Sequence, residues 1–366
     1  MCPAGRSLLE QVALRLMAGI DLPQRGVPLP PVTIIIPHFN RRDMLGRALA
    51  SLSRTRYPAF DIIVVANGGS DAALQQLVAE CSGSISVRLV VPERNGGYAG
   101  GCNEGLRHTE AGFVVFMNDD TLHDPDWLMP LVTAAEADPG IAVLQPKILS
   151  CDFAPSGKPL FDYAGAAGGM IDRLGYPYCF GRTFTTREED HGQYDSPRDL
   201  FWASGAALFA RRELVVDAGG FDDSFFMQME EIDLCWRLLM AGYRIRSVPG
   251  SVIRHEGGAS LAIQSAEKIF FNHRNNLLML LKNRSGAALM LLFPLRLLLD
   301  FAAMGYYVGR KGAERRGLPQ AVWLALLDAV RRLPSVIRQR RLVQQQRKVP
   351  DRLLFQGKPF SVFLLR

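Results

Sequence analysis

From residue 32 onward, short runs of β-branched and apolar residues alternate with segments whose apolar positions recur every three or four residues. The runs at 32–37, 61–66, 86–91 and 113–118 predict strands, and the segments at 43–54, 71–81, 99–109 and 126–138 predict helices. Such alternation builds βαβ units, so the expected fold is α/β, a mostly parallel sheet flanked by helices. Residues 150–200, richer in Gly, Pro, Tyr and charge, break the rhythm and predict loops or hairpins over one end of the sheet. A strand pattern returns at 201–210, a helix at 230–241, and short extended pieces at 243–248 and 251–255. The expected organisation is an N-terminal extension at 1–31, an α/β domain at 32–284 and a Leu-rich, basic helical region at 285–366, with no internal repeat.

Composition narrows the class. Hydrophobic residues at 48% and charged residues at 21% are those of a folded globular chain. The net charge of +6 hides a partition: residues 282–366 carry 17 Lys and Arg against 4 Asp and Glu, and residues 1–281 carry 25 against 32. A basic tail on an acidic body points to an anionic partner, either lipid or nucleic acid. Nucleic acid is disfavoured, because the tail lacks interleaved aromatics and any recognised reader motif. Residues 287–309 are long enough to span a bilayer, but Pro294, Arg296 and Asp300 fall near their middle. Ten strong apolar residues contribute about −5 kcal/mol to insertion and two central charges cost about +5 to +7, so a span is not favoured outright; Arg296 and Asp300, four apart, could pair, which softens the penalty and keeps a single span possible. Farther on, Trp323, Leu326, Leu327, Val330 and Ile337 recur at helical spacing beside Arg331, Arg332, Arg338, Arg340 and Arg341. That pattern predicts a helix lying on an anionic membrane surface; the plainer reading is a helix packing its apolar face on the core. Cysteines at 2, 81, 102, 151, 179 and 235 contain no C-x-x-C and read as reduced thiols. Glu10 and Arg15 interrupt any secretory signal, so the expected location is the cytoplasmic side of the cell membrane, with peripheral attachment.

In open α/β sheets, ligands bind beyond the carboxyl ends of the strands. The residues just after the predicted strands are 37–40, 67–71, 95–101 and 118–121, mostly small, polar or acidic. The glycine cluster is not a dinucleotide fingerprint, because Tyr98 occupies the second glycine position of G-x-G-x-x-G; Gly157-Lys158 is followed by Pro159, which excludes a P-loop. Asn118-Asp119-Asp120 could carry a hard divalent cation against phosphate, Glu230-Glu231-x-Asp233 opens a helix, and His255 ends a strand-like run. Singly, these read as an Asx turn, helix N-terminal acids and a hydrogen-bonded histidine. Asp233 and Arg237, four apart, read as a helix pair, and Asp222 and Asp223 as turn residues.

In order, Thr33-Ile-Ile-Ile-Pro-His-Phe-Asn40, Asp61-Ile-Ile-Val-Val-Ala-Asn-Gly68, Asn95-Gly-Gly-Tyr-Ala-Gly-Gly-Cys-Asn103, Phe116-Met-Asn-Asp-Asp-Thr121, Gly219-Gly-Phe-Asp222, Met229-Glu-Glu-Ile-Asp-Leu234 and His255-Glu-Gly-Gly258 resemble the successive motifs of glycosyltransferase family 2, most closely its bacterial rhamnosyltransferase-like branch. The resemblance implies a GT-A fold, a nucleotide-diphosphate sugar donor such as dTDP-rhamnose, a divalent metal and inversion at the anomeric carbon. It puts Glu231 on the family's catalytic base and Asp120 and His255 on its metal ligands. The donor contacts it implies are Pro37, Phe39, Asn40, Asn67, Asn95, Gly97, Gly100, Asn103, Asn118 and Asp119. The metal is Mn2+ or Mg2+, an imidazole ligand tilting preference toward Mn2+. Two positions depart from the pattern: Asn118 replaces a carboxylate, and Ala66 stands where a nucleobase-binding Asp is common. The implied acceptor is a growing or polyprenyl-linked glycan of the cell envelope. A rival reading, a non-catalytic nucleotide-sugar or glycan-binding module of the same fold, is opposed by the complete Glu231, Asp120 and His255 set.

Overall fold

Strands β1 (Val32–His38), β2 (Phe60–Ala66), β3 (Val87–Val90) and β4 (Phe113–Met117) pair in parallel in the order β4-β1-β2-β3. Helices α1 (Arg42–Leu52), α2 (Ala72–Cys81) and α3 (Gly97–Arg107) connect them. All residues of β1 and β4 are buried, which is why both read as unbroken apolar runs rather than alternating ones. The computed structural model describes residues 28–183, 186–257, 265–309 and 317–364. Most of the extension expected at 1–31, and Gly258 of the last motif, lie outside the described residues.

After β5 (Thr121–His123) and α4 (Leu128–Ala137), the chain enters β6 (Ile141–Phe153), a strand of 13 residues that the hydrophobic pattern does not mark. Gln145, Pro146 and Lys147 interrupt its apolar run, yet the fold satisfies the polar ones. Gln145 donates to the Gly165 carbonyl at 3.1 Å and accepts from the Ser204 amide at 2.9 Å, and Lys147 pairs with Asp190 at 2.7 Å. Strand β7 (Pro159–Phe161) turns back along β6, and the expected hairpins form a small antiparallel sheet from β8 (Gly169–Ile171), β9 (Pro177–Cys179), β10 (Arg182–Thr183) and β11 (Thr186–Arg187). The main sheet is completed by β12 (Asp199–Leu200), β13 (Ala207–Arg211) and β14 (Arg244–His255), in the order β12-β14-β6-β13-β4. Strand β13 begins at Ala207, later than the pattern at 201 suggests, because a turn at Gly205-Ala206 precedes it. Strand β14 is one strand where two pieces were expected; its register against β6 shifts between Val248 and Val252, at Pro249-Gly250.

Helix α5 (Arg212–Asp217) leads to α6 (Glu230–Met240), and the chain continues through α7 (Ala266–Asn283), α8 (Gly286–Gly309) and α9 (Leu318–Gln345). Residues 31–366 form one compact unit. Helix α8 is long and apolar enough to cross a membrane by length and composition. Its two charged residues nonetheless point into the protein: Arg296 donates to Asp300 at 2.7 Å and to the Tyr176 hydroxyl at 2.5 Å, and Asp300 also meets His273 at 2.7 Å. Met290, Leu291, Leu298 and Phe301 lie on its exposed side.

Candidate active site

The side chains of Asn118-Asp119-Asp120, at the turn that follows β4, divide between two sides. Asn118 and Asp120 line a cavity of about 370 Å³ beyond the carboxyl end of β4. Asp119 is fully buried on the other side, where His38 Nδ1 meets its carboxylate at 2.7 Å and Arg41 pairs with it. Arg41 also donates to Asp120 at 2.9 Å. Neither His38 nor Arg41 was singled out from the sequence, although both sit within or beside the first strand motif.

His255, at the end of β14, faces Asp120 at 3.0 Å through Nε2 and Asp162 at 3.1 Å through Nδ1. Burial opposes its charge, but the two carboxylates win and raise its pKa to about 10. Asp120 is lowered in turn: burial works against its charge, and His255 and Arg41 outweigh that. The donor set fits a divalent cation, which would take the place of the proton on His255 Nε2. It joins one carboxylate oxygen to one imidazole whose second nitrogen is anchored by a carboxylate, the outer-shell arrangement that orients metal-binding histidines. No group of three His, Cys, Asp or Glu among the described residues is placed to hold a metal ion by itself, so a bound ion would complete its shell from donor phosphate and water. Asp162 lies in a segment read only as loop, and nothing in the local sequence signals its role.

Glu231 lines the same cavity from the first turn of α6. The loop before it is strained: Phe226, Gln228 and Met229 hold φ of 65°, 69° and 74°, a region costly for non-glycine residues. Asn275 of α7 pins this loop, donating to the carbonyls of Phe225, Met227 and Gln228 at 3.0, 2.8 and 2.7 Å. Burial raises the Glu231 carboxyl to about 7 and pushes Glu230 well above the ordinary range. The Oε2 atoms of both have no hydrogen-bond partner among the described residues. A carboxylate poised near neutrality and facing a cavity can take a proton from a hydroxyl.

The other expected contacts separate into two groups. Asn67, Asn95 and Gly100 line a second cavity, about 520 Å³, at the amino end of α3. Asn67 donates to the Gly97 carbonyl at 2.9 Å, and its buried Oδ1 has no partner among the described residues. Asn95 accepts from the Gly97 amide at 2.8 Å. Phe39 and Asn40 are exposed just after β1, whereas Pro37 is buried within it. Gly97, with φ of +67°, serves a close approach: an added Cβ would lie 2.2 Å from the Phe226 carbonyl oxygen. Asn103 acts as a clamp, donating to the Phe221 carbonyl at 2.8 Å and Asp223 at 2.6 Å and accepting from the Phe221 amide at 2.9 Å. Its amide is therefore engaged in holding the Gly219–Asp223 turn. Asp233 does pair with Arg237, at 2.9 Å, and Asp222 with Lys282 at 2.6 Å, so these acids are structural.

A mostly parallel sheet with paired acids at a strand end, followed by a second half that supplies a histidine and a helix-borne carboxylate, is the GT-A glycosyltransferase architecture. Its solved relatives include GalNAc-T7, crystallised with UDP, GalNAc and Mn2+ (TM-score 0.54, 15% identity, 69% of this chain and 48% of that one). Another is S. aureus TarS 1–349 (TM-score 0.52, 17% identity, 89% and 88%). Residues 33–193 match the model for glycosyl transferase family 2. It is 29% identical over 255 residues to the N-acetylglucosaminyl-diphospho-decaprenol L-rhamnosyltransferase of Mycobacterium tuberculosis, covering 66% of this chain and 81% of that protein. It is also 26% identical over 270 residues to the pre-mycofactocin glycosyltransferase of the same organism, covering 72% and 50%.

Proposed function

We propose that this chain is a family 2 glycosyltransferase that works by inversion with a divalent metal, moving rhamnose from dTDP-rhamnose to a lipid-linked glycan acceptor in cell-envelope polysaccharide synthesis. The observation that carries the reading is that Glu231, Asp120 and His255, far apart in sequence, line one cavity. The rhamnosyl donor and the diphospho-lipid acceptor are supported by the name of the mycobacterial relative, and metal use by the donor set and by the Mn2+ named in a solved relative's description.

Glu231 accepts the proton of the acceptor hydroxyl as that oxygen attacks the anomeric carbon, and the sugar–phosphate bond breaks on the opposite side. When bound at Asp120 and His255, a divalent ion supplies charge to the departing diphosphate. Asp162 keeps the His255 ring oriented, and Arg41 holds the two carboxylates in place. The nucleoside belongs in the cavity beside α3, where Asn67 Oδ1 can accept from a base N–H in place of the carboxylate that Ala66 lacks. The exposed apolar side of α8 and the exposed Trp323, Leu324 and Val330 of α9 support peripheral attachment to the cytoplasmic face of the membrane. Mass spectrometry of the protein incubated with a panel of nucleotide sugars, Mn2+ and a prenyl-diphosphate-linked N-acetylglucosamine tests the reading. Transfer of one deoxyhexose mass from dTDP-rhamnose is expected. A protein that binds the nucleotide but releases no nucleoside diphosphate with any donor and acceptor would instead be the binding module.

A further inference from the structure

The cavity holding Glu231 has another wall that the chemistry above does not use. Arg182 of β10 and Lys268, in the first turn of α7, line it together with Tyr163 and Trp202. The Arg182 guanidinium lies 4.1 Å from the centre of the Tyr163 ring and the Lys268 ammonium 5.6 Å from the same centre. Neither cation forms an ion pair among the described residues, whereas the buried Arg237, Lys282 and Arg296 each face an Asp. Arg182 Nε is buried with no hydrogen-bond partner among the described residues. Burial and the nearby Arg182 lower the Lys268 pKa, against the opposing pull of Asp162, whereas Cys179 and Tyr163 outweigh burial at Arg182 and raise its pKa. Two such cations on one cavity wall are stabilised by an anion, and phosphate oxygens suit both donors.

Two phosphate groups could fill that role, the donor's or the acceptor's. The donor side has its own cation in Arg41 and its own metal-ligand pair at the end of β4. Arg182 and Lys268 come instead from the small antiparallel sheet and α7, which carry none of the donor motifs, and they stand beside two aromatic rings of the kind on which sugar rings rest. We propose that Arg182 and Lys268 hold the phosphate of a phosphate-linked acceptor and so present its sugar hydroxyl to Glu231. This rests on the transferase reading and adds where the acceptor's anionic end lies.

The test uses the full chain and the variants Arg182→Gln, Lys268→Gln and Lys268→Arg. Binding of citronellyl diphosphate is measured with nucleoside diphosphate and Mn2+ at saturation, so that the donor seat is filled. Each Gln substitution should weaken that binding at least about tenfold, the loss expected for a charge-assisted bond, while Lys268→Arg retains it and the Kd for nucleoside diphosphate stays as in the parent. Failure of the parent to bind the prenyl diphosphate under these conditions overturns the proposal. So does a nucleoside diphosphate Kd that rises by the same factor in the Gln variants, which assigns the cations to the donor. In transfer assays, the preference for a prenyl-diphosphate sugar over its phosphate-free octyl glycoside should fall at least about tenfold, and an unchanged preference overturns the proposal. Absence of transfer to every acceptor counts against the transferase reading alone, and the binding measurement then decides this one.

Discussion

Glu231 has an environment that matches its proposed work. Burial holds its pKa at about 7, so the ionised, proton-accepting form grows as pH rises through that value. The transfer rate should climb through pH 7 and level off above it. Glu231→Gln keeps the shape and removes the basicity, and it should cost about 10²- to 10⁴-fold in kcat with nucleotide binding intact. The same shift has a stability consequence of definite sign. The folded pKa lies above the unfolded value, so the folded state holds an extra proton in the window from about 4.5 to about 7 and loses stability as pH rises through it. The Gln variant should therefore melt higher than the parent at pH 8 and level with it at pH 4, measured by calorimetry; a variant destabilised at pH 8 would contradict this burial argument. At Asp120, removal of the carboxylate takes away one of the two proposed ligands and leaves His255 with Asp162 alone. Asp120→Ala should weaken Mn2+-dependent binding of nucleoside diphosphate at least about tenfold, and excess chelator should abolish transfer in the parent. Undiminished transfer in chelator would remove the metal from the mechanism.

At the scale of elements, the site depends on how closely α3 approaches the loop before α6. The Ala99 amide donates to the Phe226 carbonyl at 3.2 Å, and the contact exists because Gly97 has no side chain. Gly97→Ala would place a methyl group 2.2 Å from that carbonyl oxygen in a backbone region unfavourable for alanine. The expected result is a loss of about 1–3 kcal/mol in stability together with displacement of the loop that leads to Glu231. Hydrogen exchange should rise in residues 225–233 and stay slow in β1 and β4, and equal protection in variant and parent would show that the loop does not lean on α3. The strain at Phe226, Gln228 and Met229 belongs to the same arrangement, since Asn275 of α7 satisfies three of the loop's carbonyls. Helix α7 thus supports the loop before Glu231 from behind and offers Lys268 to the cavity at its amino end.

For the whole molecule, the basic C-terminal region is an integral layer, because α9 buries Leu318, Val322 and Ala325 within the compact unit. Truncation before α8 would uncover that surface, so membrane attachment is better tested by charge. Arg331, Arg338 and Arg341 are exposed along α9. The parent should sediment with anionic vesicles at low salt and be released by high salt, and replacing these three arginines by glutamine should reduce the bound fraction several-fold. A parent that stays in the supernatant beside such vesicles would refute attachment, and one released only by detergent would make α8 a span.

The order of apolar runs and helical segments in residues 32–138 was sufficient to read the parallel half of the sheet. Those strands are buried on both faces and their sequence is correspondingly uniform. The cysteines, read as thiols, are free at all five described positions. Strand β6 escaped because its signal lies in partners far along the chain: Gln145 is tolerable in a core only where Gly165 and Ser204 meet it. The candidate catalytic residues were legible as an ordered set of motifs, but their roles relative to one another were not. Only the folded chain separates Asp119, turned toward His38 and Arg41, from Asp120, turned toward the cavity, and only it brings Asp162 under His255. In α8, sequence spacing allowed Arg296 and Asp300 to pair, and tertiary packing against Tyr176 and His273 decided which side of the helix faces the protein. Local sequence carries the periodicity that selects an element, whereas charge compensation acts across space and is resolved only when distant segments meet.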